Sequence, residues 1–280
     1  MSLYLRPKTL QEAVQALSQS GGAILSGGTD FFPARVDRPI VGPVVDISAV
    51  SELKGITFEA GQIHIGGRTT WSEIAASSLP RGFDGLKSAA RDVGSIQIQT
   101  FATVAGNLCN ASPAADGVPP LLTLDAQVTL DSTSGPRTMP LADFILGNRK
   151  TALRPNEIMT RITIPRRLEG ASSVFLKLGV RRYLVISIVM VAALVLPDDQ
   201  GQVVEAHIAV GSCSAKAQRL TALENALVGA PVRPGLGRLV SPQHLAPLSP
   251  IDDVRATSAY RREASLVLIR RALDACVGEA

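Results

Sequence analysis

Two short glycine-containing segments, far apart in the sequence, constrain this chain more than any other feature. The first is Ser26-Gly-Gly-Thr-Asp30, and the second is Thr103-Val-Ala-Gly-Asn-Leu-Cys-Asn-Ala-Ser-Pro-Ala-Ala-Asp116. Glycine lets a ligand approach main-chain N–H groups closely, and concave rows of such groups suit a phosphate. Together the segments predict a diphosphate held from both sides, and therefore a dinucleotide. The alternative for either segment alone is an ordinary turn, in which glycine is the default residue.

Two common phosphate-binding motifs do not occur in the sequence. There is no Gly-x-x-x-x-Gly-Lys-Ser/Thr, and no Gly-x-Gly-x-x-Gly opens a helix after the first strand. A P-loop nucleotidase and a Rossmann cofactor domain are therefore disfavoured. A third glycine pair, Gly66-Gly67, lies between the alternating segment Gln62–Ile65 and a capping box at Thr70–Glu73. That position predicts a turn without a ligand.

Read together, the two segments resemble the motifs of the FAD-binding (medium) subunit of the molybdenum hydroxylases. This family includes xanthine dehydrogenases, aldehyde oxidoreductases and carbon monoxide dehydrogenase flavoproteins. Its first motif is similar to residues 26–30, and its second, Thr-Ile-Gly-Gly-Asn followed by Ala-Ser-Pro-x-x-Asp, is similar to residues 103–116. The resemblance continues through Phe175-Leu-Lys177 with Arg181-Arg182 and ends at residues 251–262. Ala105 replaces the usual first glycine, and Val185 stands near a position often held by aspartate.

The resemblance implies which residues bind FAD. Residues 23–30 would surround the diphosphate with N–H groups, Thr29 would add a hydroxyl, and Asp116 would accept hydrogen bonds from sugar or ribityl hydroxyls. The implied cofactor-binding set is Ala23, Ile24, Leu25, Ser26, Gly27, Gly28, Thr29, Asp30, Val93, Thr103, Val104, Ala105, Gly106, Asn107, Asp116, Met159, Lys177 and Ile186.

Several of these residues have alternative interpretations. Asp116 could instead cap a helix that begins at Val118. Lys177 would place a positive charge near the flavin and favour its reduced, anionic form, or it could be a strand-edge lysine that reaches solvent. Ile186 would pack against the isoalloxazine or belong to the core, and Tyr183 is an alternative ring contact.

The chain offers no obvious catalytic group of its own. His64 and His207 lie within strand patterns, where we expect ordinary sheet residues, and neither a Gly-x-Ser-x-Gly elbow nor a His-Glu-x-x-His motif occurs. Cys109, Cys213 and Cys276 are far apart, so neither an iron–sulfur cluster nor a zinc site is predicted on this chain. A bound flavin would therefore supply the chemistry.

Composition narrows the class of protein. Of its 280 residues, 46% are hydrophobic and 19% are charged, which is typical of a folded globular chain. Aromatic residues make up only 4%, and the net charge of +4 has no dense basic block, so no nucleic-acid partner is expected. Sparse cysteines and the absence of a signal-peptide pattern favour the cytoplasm. The longest apolar run, Leu184–Leu196, is too short for a membrane span and predicts a buried strand.

The pattern of elements predicts an α+β fold, and the resemblance implies a two-part FAD domain of the vanillyl-alcohol-oxidase type before a C-terminal α+β domain. We expect FAD-binding subdomains at 1–55 and 56–168 and a C-terminal domain at 172–280, with an antiparallel sheet and helices on one face. Predicted helices follow the capping box Thr9–Glu12 and cover 71–78, 84–92 and 257–276, and predicted strands cover 173–178, 185–196 and 203–210. Thr221–Glu224 predicts another helix cap, and the proline-rich residues 231–250 predict a surface connection. The arginine pairs at 261–262 and 270–271 predict a solvated helix face.

The resemblance implies a flavin subunit that passes electrons from [2Fe–2S] clusters on a small partner subunit to NAD, oxygen or another acceptor. Molybdopterin would lie on a large subunit, and the complex would be a dimer of heterotrimers. Two alternatives remain open: a self-contained FAD-dependent oxidoreductase, and an assembly protein that has lost the cofactor.

Overall fold

A computed structural model describes residues 3–36 and 38–278. The amino-terminal part is a parallel sheet of order β1-β3-β2 with one helix. Its elements are β1 (Tyr4–Leu5), α1 (Leu10–Ser20), β2 (Ala23–Leu25) and β3 (Val44–Asp46). The capping box at Thr9 is confirmed, and Gly21 ends α1 with a φ of 60°. Helix α1 buries Ala13 and Leu17 against the sheet. Strand β2 lies at one edge of this sheet, and residues 26–30 follow it directly.

The central part is an antiparallel five-stranded sheet, order β4-β5-β10-β6-β7, covered by short helices. Its elements are β4 (Ile56–Glu59), β5 (Gln62–Gly66), α2 (Trp71–Ala76), α3 (Asp84–Asp92), α4 (Ile96–Phe101), α5 (Val104–Asn110), α6 (Val118–Thr123), β6 (Gln127–Ser132), β7 (Gly135–Pro140), α7 (Leu141–Phe144), β8 (Ile145–Gly147), β9 (Lys150–Thr151) and β10 (Ile158–Pro165). The predicted capping box at Thr70 is confirmed. Trp71, Phe83 and Phe144 fill the core between helices and sheet.

The carboxyl-terminal part is a second antiparallel sheet, order β11-β12-β13-β14, which confirms the predicted α+β class. Its elements are β11 (Ser172–Leu178), β12 (Val189–Pro197), β13 (Val203–Gly211), β14 (Gln218–Arg219), α8 (Thr221–Leu227) and α9 (Ser258–Val277). Helices α8 and α9 pack on one face of this sheet, as predicted. The opposite face contacts α3 and α6 of the central part.

Strand β12 is buried on both faces. Val189, Val191 and Ala193 belong to the core under α9, whereas Met190 and Leu194 face α3 and α6. This two-sided burial explains the apolar run from Val189 onward, because both faces of the strand must be apolar. Residues 184–188, predicted to belong to the same buried strand, instead precede β12 in a loop, where Leu184 and Ile186 are 54% and 53% exposed. Among the described residues, no helix is both long enough and apolar enough to span a membrane.

Two predictions for the carboxyl-terminal part are wrong in detail. Thr221 does not cap α8; the capping position is Leu220, which makes no side-chain bond, and Glu224 instead accepts the Ile208 N–H. The arginines of α9 are not simply a solvated face. Arg261 is 3% exposed, and Arg262 donates to main-chain carbonyls of the connection 231–250, which it holds against the helix.

A polar cluster joins the two sheets at the carboxyl end of α6. Arg167 forms ion pairs with Asp125 and Glu205. His207 Nδ1 lies 2.6 Å from the Thr123 carbonyl oxygen, which can only accept, so Nδ1 carries the proton. His207 is thus a hydrogen-bonded sheet residue on β13, as predicted, and the cluster fixes α6 against β13.

Candidate cofactor site

A cavity of about 740 Å³ opens between the loop after β2, the helix α5 and the segment that precedes β10. Its volume falls in the range of small-molecule and cofactor pockets. Twelve of the eighteen predicted residues line it: Ile24, Ser26, Gly27, Gly28, Thr29, Asp30, Val93, Thr103, Ala105, Gly106, Asn107 and Met159. The fold therefore brings the two glycine segments, which are distant in sequence, to one cavity.

The loop 26–30 has the geometry of an anion-binding cradle. Gly28 has a φ of +75°, a region that L side chains rarely adopt, and an ideal Cβ on Gly27 would lie 2.0 Å from the Phe101 carbonyl oxygen. Within residues 3–36 and 38–278, the N–H groups of Gly27, Gly28, Thr29 and Asp30 donate to no other protein group. Unpaired main-chain donors in a glycine turn that lines a cavity suit a phosphate.

The second segment is a helix rather than a loop. Thr103 caps α5 by accepting from the Gly106 N–H, and the Val104 and Asn107 N–H groups bond to Thr69 and Thr103 carbonyls. Most of its donors are thus already satisfied, which revises the expectation of two equivalent amide cradles. Ala105 lies inside this helix, where alanine is favourable. Its departure from glycine therefore introduces no backbone strain.

The residues present fit a dinucleotide. Asn107 lines the cavity, and its buried Oδ1 has no hydrogen-bond partner among the described residues. A buried acceptor without a partner costs free energy, so a hydroxyl or N–H donor on a bound ligand would satisfy it. The loop at Gly27 and Gly28 and the Asn107 oxygen face the same cavity. The loop suits an anion, and the Asn107 oxygen suits a hydrogen-bond donor.

The remaining cofactor-binding predictions lie outside the cavity lining. Ala23 and Leu25 belong to β2 and Val104 to α5. Ile186 is 53% exposed in the loop between β11 and β12, so it is not a core residue. Tyr183, the alternative ring contact, is 62% exposed in the same loop.

Asp116 and Lys177 form a buried ion pair beside the cavity. Lys177 Nζ lies 2.7 Å from Asp116 Oδ2, and the two side chains are 8% and 10% exposed. Lys177 is therefore no solvent-reaching strand-edge lysine. Nor does Asp116 cap α6, because the capping position is Gly117, which has no side-chain bond. Burial raises the pKa of Asp116, while Lys177 and Ser187 act in the opposite direction.

Sequence reasoning missed several lining residues, among them Phe31, Arg35, Cys109 and Glu157. Gly67, predicted to lie in a turn without a ligand, also lines the cavity. The Arg35 guanidinium lies 3.8 Å from the Phe31 ring centroid and donates to the Phe31 carbonyl. Burial raises the pKa of Cys109 to about 12, so its thiol stays protonated and unreactive. The four-residue spacing from Phe31 to Arg35, just after the first segment, was the one pattern that could have indicated their contact.

Glu157 fixes the segment that precedes β10. Arg137 binds its carboxylate through two nitrogens at 2.6 and 2.7 Å, and the Arg154 N–H donates to it at 2.8 Å. The Glu157 side chain is 3% exposed. The hydrogen bond from Arg137, opposed by burial and helped by Arg154, lowers the pKa of Glu157 below its ordinary value.

We expect Glu157→Gln to lower the free energy of unfolding by about 1.5–3 kcal/mol at pH 7, the value of a charged hydrogen bond. A lowered pKa means that this stabilisation is present above the ordinary glutamate pKa of about 4.3 and is lost as the pH falls through the lower folded value. Urea unfolding at a series of pH values measures the difference, which should shrink below about pH 4. Glu169→Gln, in the more exposed pair with Arg166, is the control and should cost less than about 1 kcal/mol. A difference in unfolding free energy between wild type and Glu157→Gln that stays constant from neutral to acidic pH would contradict this account.

Comparison with known proteins gives consistent matches along the chain. A family model described as the FAD binding domain in molybdopterin dehydrogenase matches residues 1–167. A second, described as the CO dehydrogenase flavoprotein C-terminal domain, matches residues 175–276. The nicotinate dehydrogenase FAD-subunit of Eubacterium barkeri is 38% identical over 239 residues, covering 82% of this chain and 80% of that protein. The xanthine dehydrogenase FAD-binding subunit of Escherichia coli O157:H7 is 29% identical over 282 residues, covering 99% and 96% of the two chains.

Solved structures show the same fold. A chain of carbon monoxide dehydrogenase from Hydrogenophaga pseudoflava superposes with a TM-score of 0.89 at 26% sequence identity. The match covers 98% of this chain and 96% of that chain.

Proposed function

The chain belongs to the FAD-binding family of the molybdopterin dehydrogenases, as an FAD-dependent oxidoreductase subunit, and from this we propose that it carries electrons between a partner's iron–sulfur clusters and a final acceptor. The observation that carries the proposal is the cradle at Gly27–Asp30, whose N–H groups have no acceptor in the part of the chain that the structure describes, in a cavity of cofactor size. The acceptor would be NAD, oxygen or another oxidant.

The chain's own residues would bind and orient the cofactor. The N–H groups of residues 27–30 would hold the diphosphate, and Thr29 would add its hydroxyl. Asn107 Oδ1 would accept a hydrogen bond from the ligand. The Lys177 ammonium, bonded to the Asp92 carbonyl next to the lining residue Val93, would stabilise negative charge on a reduced ring. FAD, when bound, supplies both one-electron and two-electron transfer.

We propose that the substrate is oxidised on partner chains. A large subunit would hold molybdopterin and a small subunit the [2Fe–2S] clusters, in a dimer of heterotrimers. The three cysteines of this chain are free, and they lie on α5, after β13 and on α9, so they cannot supply the four thiolates of a cluster. Their free state also agrees with a reducing cytoplasm. We divide the chain into units 1–55, 56–168 and 172–280, which separates its three larger sheets.

Purification of the chain from its native cell with its partners tests this function. We expect partner masses of a large and a small subunit, molybdenum and iron in the complex, and one FAD per copy of this chain. The chain alone should bind FAD but not hydroxylate a purine or an aldehyde. Turnover of NAD(P)H by the chain alone would favour the self-contained oxidoreductase. A colourless complex that cannot take up added FAD would favour the assembly protein.

A further inference from the structure

The Asp116 carboxylate has a second donor besides Lys177. The Ser187 hydroxyl donates to Asp116 Oδ1 at 2.8 Å, while Lys177 donates to Oδ2 at 2.7 Å. Ser187 is only 2% exposed and lies at the end of the loop between β11 and β12. Each carboxylate oxygen thus has its own donor, and a carboxylate held at both oxygens cannot rotate without breaking a charge-assisted hydrogen bond.

This group adjoins the cofactor cavity at two points. Lys177 Nζ also donates to the Asp92 carbonyl at 3.1 Å, and the next residue, Val93, lines the cavity. On the other side, an ideal Cβ on Gly117 would lie 3.0 Å from Asn107 Oδ1, which belongs to a second lining residue. The ion pair therefore adjoins two lining residues, Val93 through Asp92 and Asn107 through Gly117.

The main chain next to Ser187 is fixed from the opposite side by Arg261. Its Nη1 donates to the Ile188 carbonyl at 2.6 Å and to the Ser212 carbonyl at 3.1 Å. Its Nη2 donates to Asp253 Oδ1 at 2.7 Å. A buried guanidinium with three partners on three segments fixes the position of Ile188, and hence of Ser187 beside it.

We propose that Ser187, anchored through Ile188 by Arg261, is a positioning residue of the cofactor site: its hydroxyl orients Asp116 so that the carboxylate holds the Lys177 ammonium beside the Val93 part of the cavity. The inference rests on the proposed FAD-binding function and assigns that function a residue outside the glycine segments. It also gives the C-terminal segment 251–262, which does not line the cavity, a role in shaping the site.

The groups around Asp116 determine whether loss of the Ser187 hydroxyl raises or lowers the pKa of this carboxyl. Burial and the nearby Asp92 raise the pKa of Asp116, and Lys177 and Ser187 lower it. Without the Ser187 hydroxyl, the pKa rises further, so the carboxyl takes up a proton at a higher pH. A protonated Asp116 no longer pairs with Lys177, and FAD binding then weakens as the pH falls.

The test compares wild type with Ser187→Ala, using FAD as the probe and the full chain in its native complex. We expect the FAD dissociation constant at pH 7 to rise about tenfold, the effect of one lost hydrogen bond to a charged group. We also expect FAD binding to be lost at a higher pH on acidification, because the pKa of Asp116 rises without the Ser187 hydroxyl. Ser77→Ala is the matched control, because the Ser77 hydroxyl donates to the Ile74 carbonyl at 2.7 Å and Ser77 does not line the cavity; it should leave both values unchanged.

A purely structural role for Ser187 would lower the melting temperature without changing the pH at which FAD binding is lost. The inference is overturned if wild type binds FAD and Ser187→Ala shows the same dissociation constant and pH midpoint. If the alanine variant does not fold, the isosteric pair Ser187→Thr and Ser187→Val decides. Thr keeps the hydroxyl and should resemble wild type, whereas Val should show the shift, and equal behaviour of the two overturns the inference. A wild-type complex that binds no FAD at any pH would instead refute the proposed function.

Discussion

Replacement of Gly27 by alanine is expected to abolish FAD binding, with at least a hundredfold rise in the dissociation constant. The new Cβ would lie 2.0 Å from the Phe101 carbonyl oxygen and 2.7 Å from its carbon. Both are backbone atoms at the end of α4, which cannot move aside as a flexible side chain can. The loop and α4 must separate, and the cradle loses its shape.

The same variant should lose about 1–3 kcal/mol of unfolding free energy, the usual cost of overpacking. This corresponds to a drop of about 2–4 °C in Tm per kcal/mol for a chain of this size class. Flavin absorbance after reconstitution and thermal unfolding measure the two effects. Gly170→Ala is the control, because Gly170 has no atom within 4 Å of an added Cβ and no positive φ. It should stay within about 0.5 kcal/mol of wild type. Normal FAD binding by Gly27→Ala would show that this loop does not hold the diphosphate.

Replacement of Lys177 by methionine is the second change with a large expected effect. It leaves the buried Asp116 carboxylate without its charged partner, which typically costs about 3–5 kcal/mol. Urea unfolding of the apo chain measures the loss. The double variant Lys177→Met with Asp116→Leu removes the stranded charge and should recover most of the stability. It should not recover FAD binding. A double variant that binds FAD normally would show that the Asp116–Lys177 pair does not contribute to the cofactor site.

The pH dependence of the lysine variant has a definite sign. Burial raises the pKa of Asp116, so this carboxyl binds a proton more readily in the folded than in the unfolded chain. A group of this kind favours the fold at low pH and loses that contribution as the pH rises through the folded pKa. Without Lys177 the pKa of Asp116 rises further, because the lysine lowers it in the wild type. The loss of unfolding free energy in Lys177→Met should therefore increase from acidic to neutral pH. Lys54→Met, in the exposed pair with Glu73, is the control and should cost less than about 1 kcal/mol at any pH.

Local chemistry made much of the fold predictable from the sequence. The capping boxes at Thr9 and Thr70 and the helix over 84–92 depend on residues three or four positions apart. Helix α5 was missed because glycine and asparagine at 106–107 indicated a loop. Its helical state depends on the Thr103 cap and on the packing of Val104 and Leu108 in the core, and the packing is visible only in three dimensions.

The site was predictable to a different extent. The two glycine segments carry a recognisable pattern, and the structure places both at one cavity. The contact of Ser187 with Asp116 joins residues 71 positions apart, and that of Arg261 with Ile188 joins residues 73 positions apart. No local spacing encodes such pairs. The buried arginine appeared in the sequence as one of several surface charges because its acceptors, the Ile188 and Ser212 carbonyls and the Asp253 carboxylate, lie on other segments of the chain.

The two-sided burial of β12 has a consequence for how this protein can be divided. One side of the strand closes the interior that surrounds α3 and α6, so the carboxyl-terminal part shares a core with the central part and is not an appended module. Excision of residues 172–280 would expose an apolar surface on the rest of the chain, and it would also remove Lys177 and Ser187. We therefore expect the two parts to depend on each other for folding.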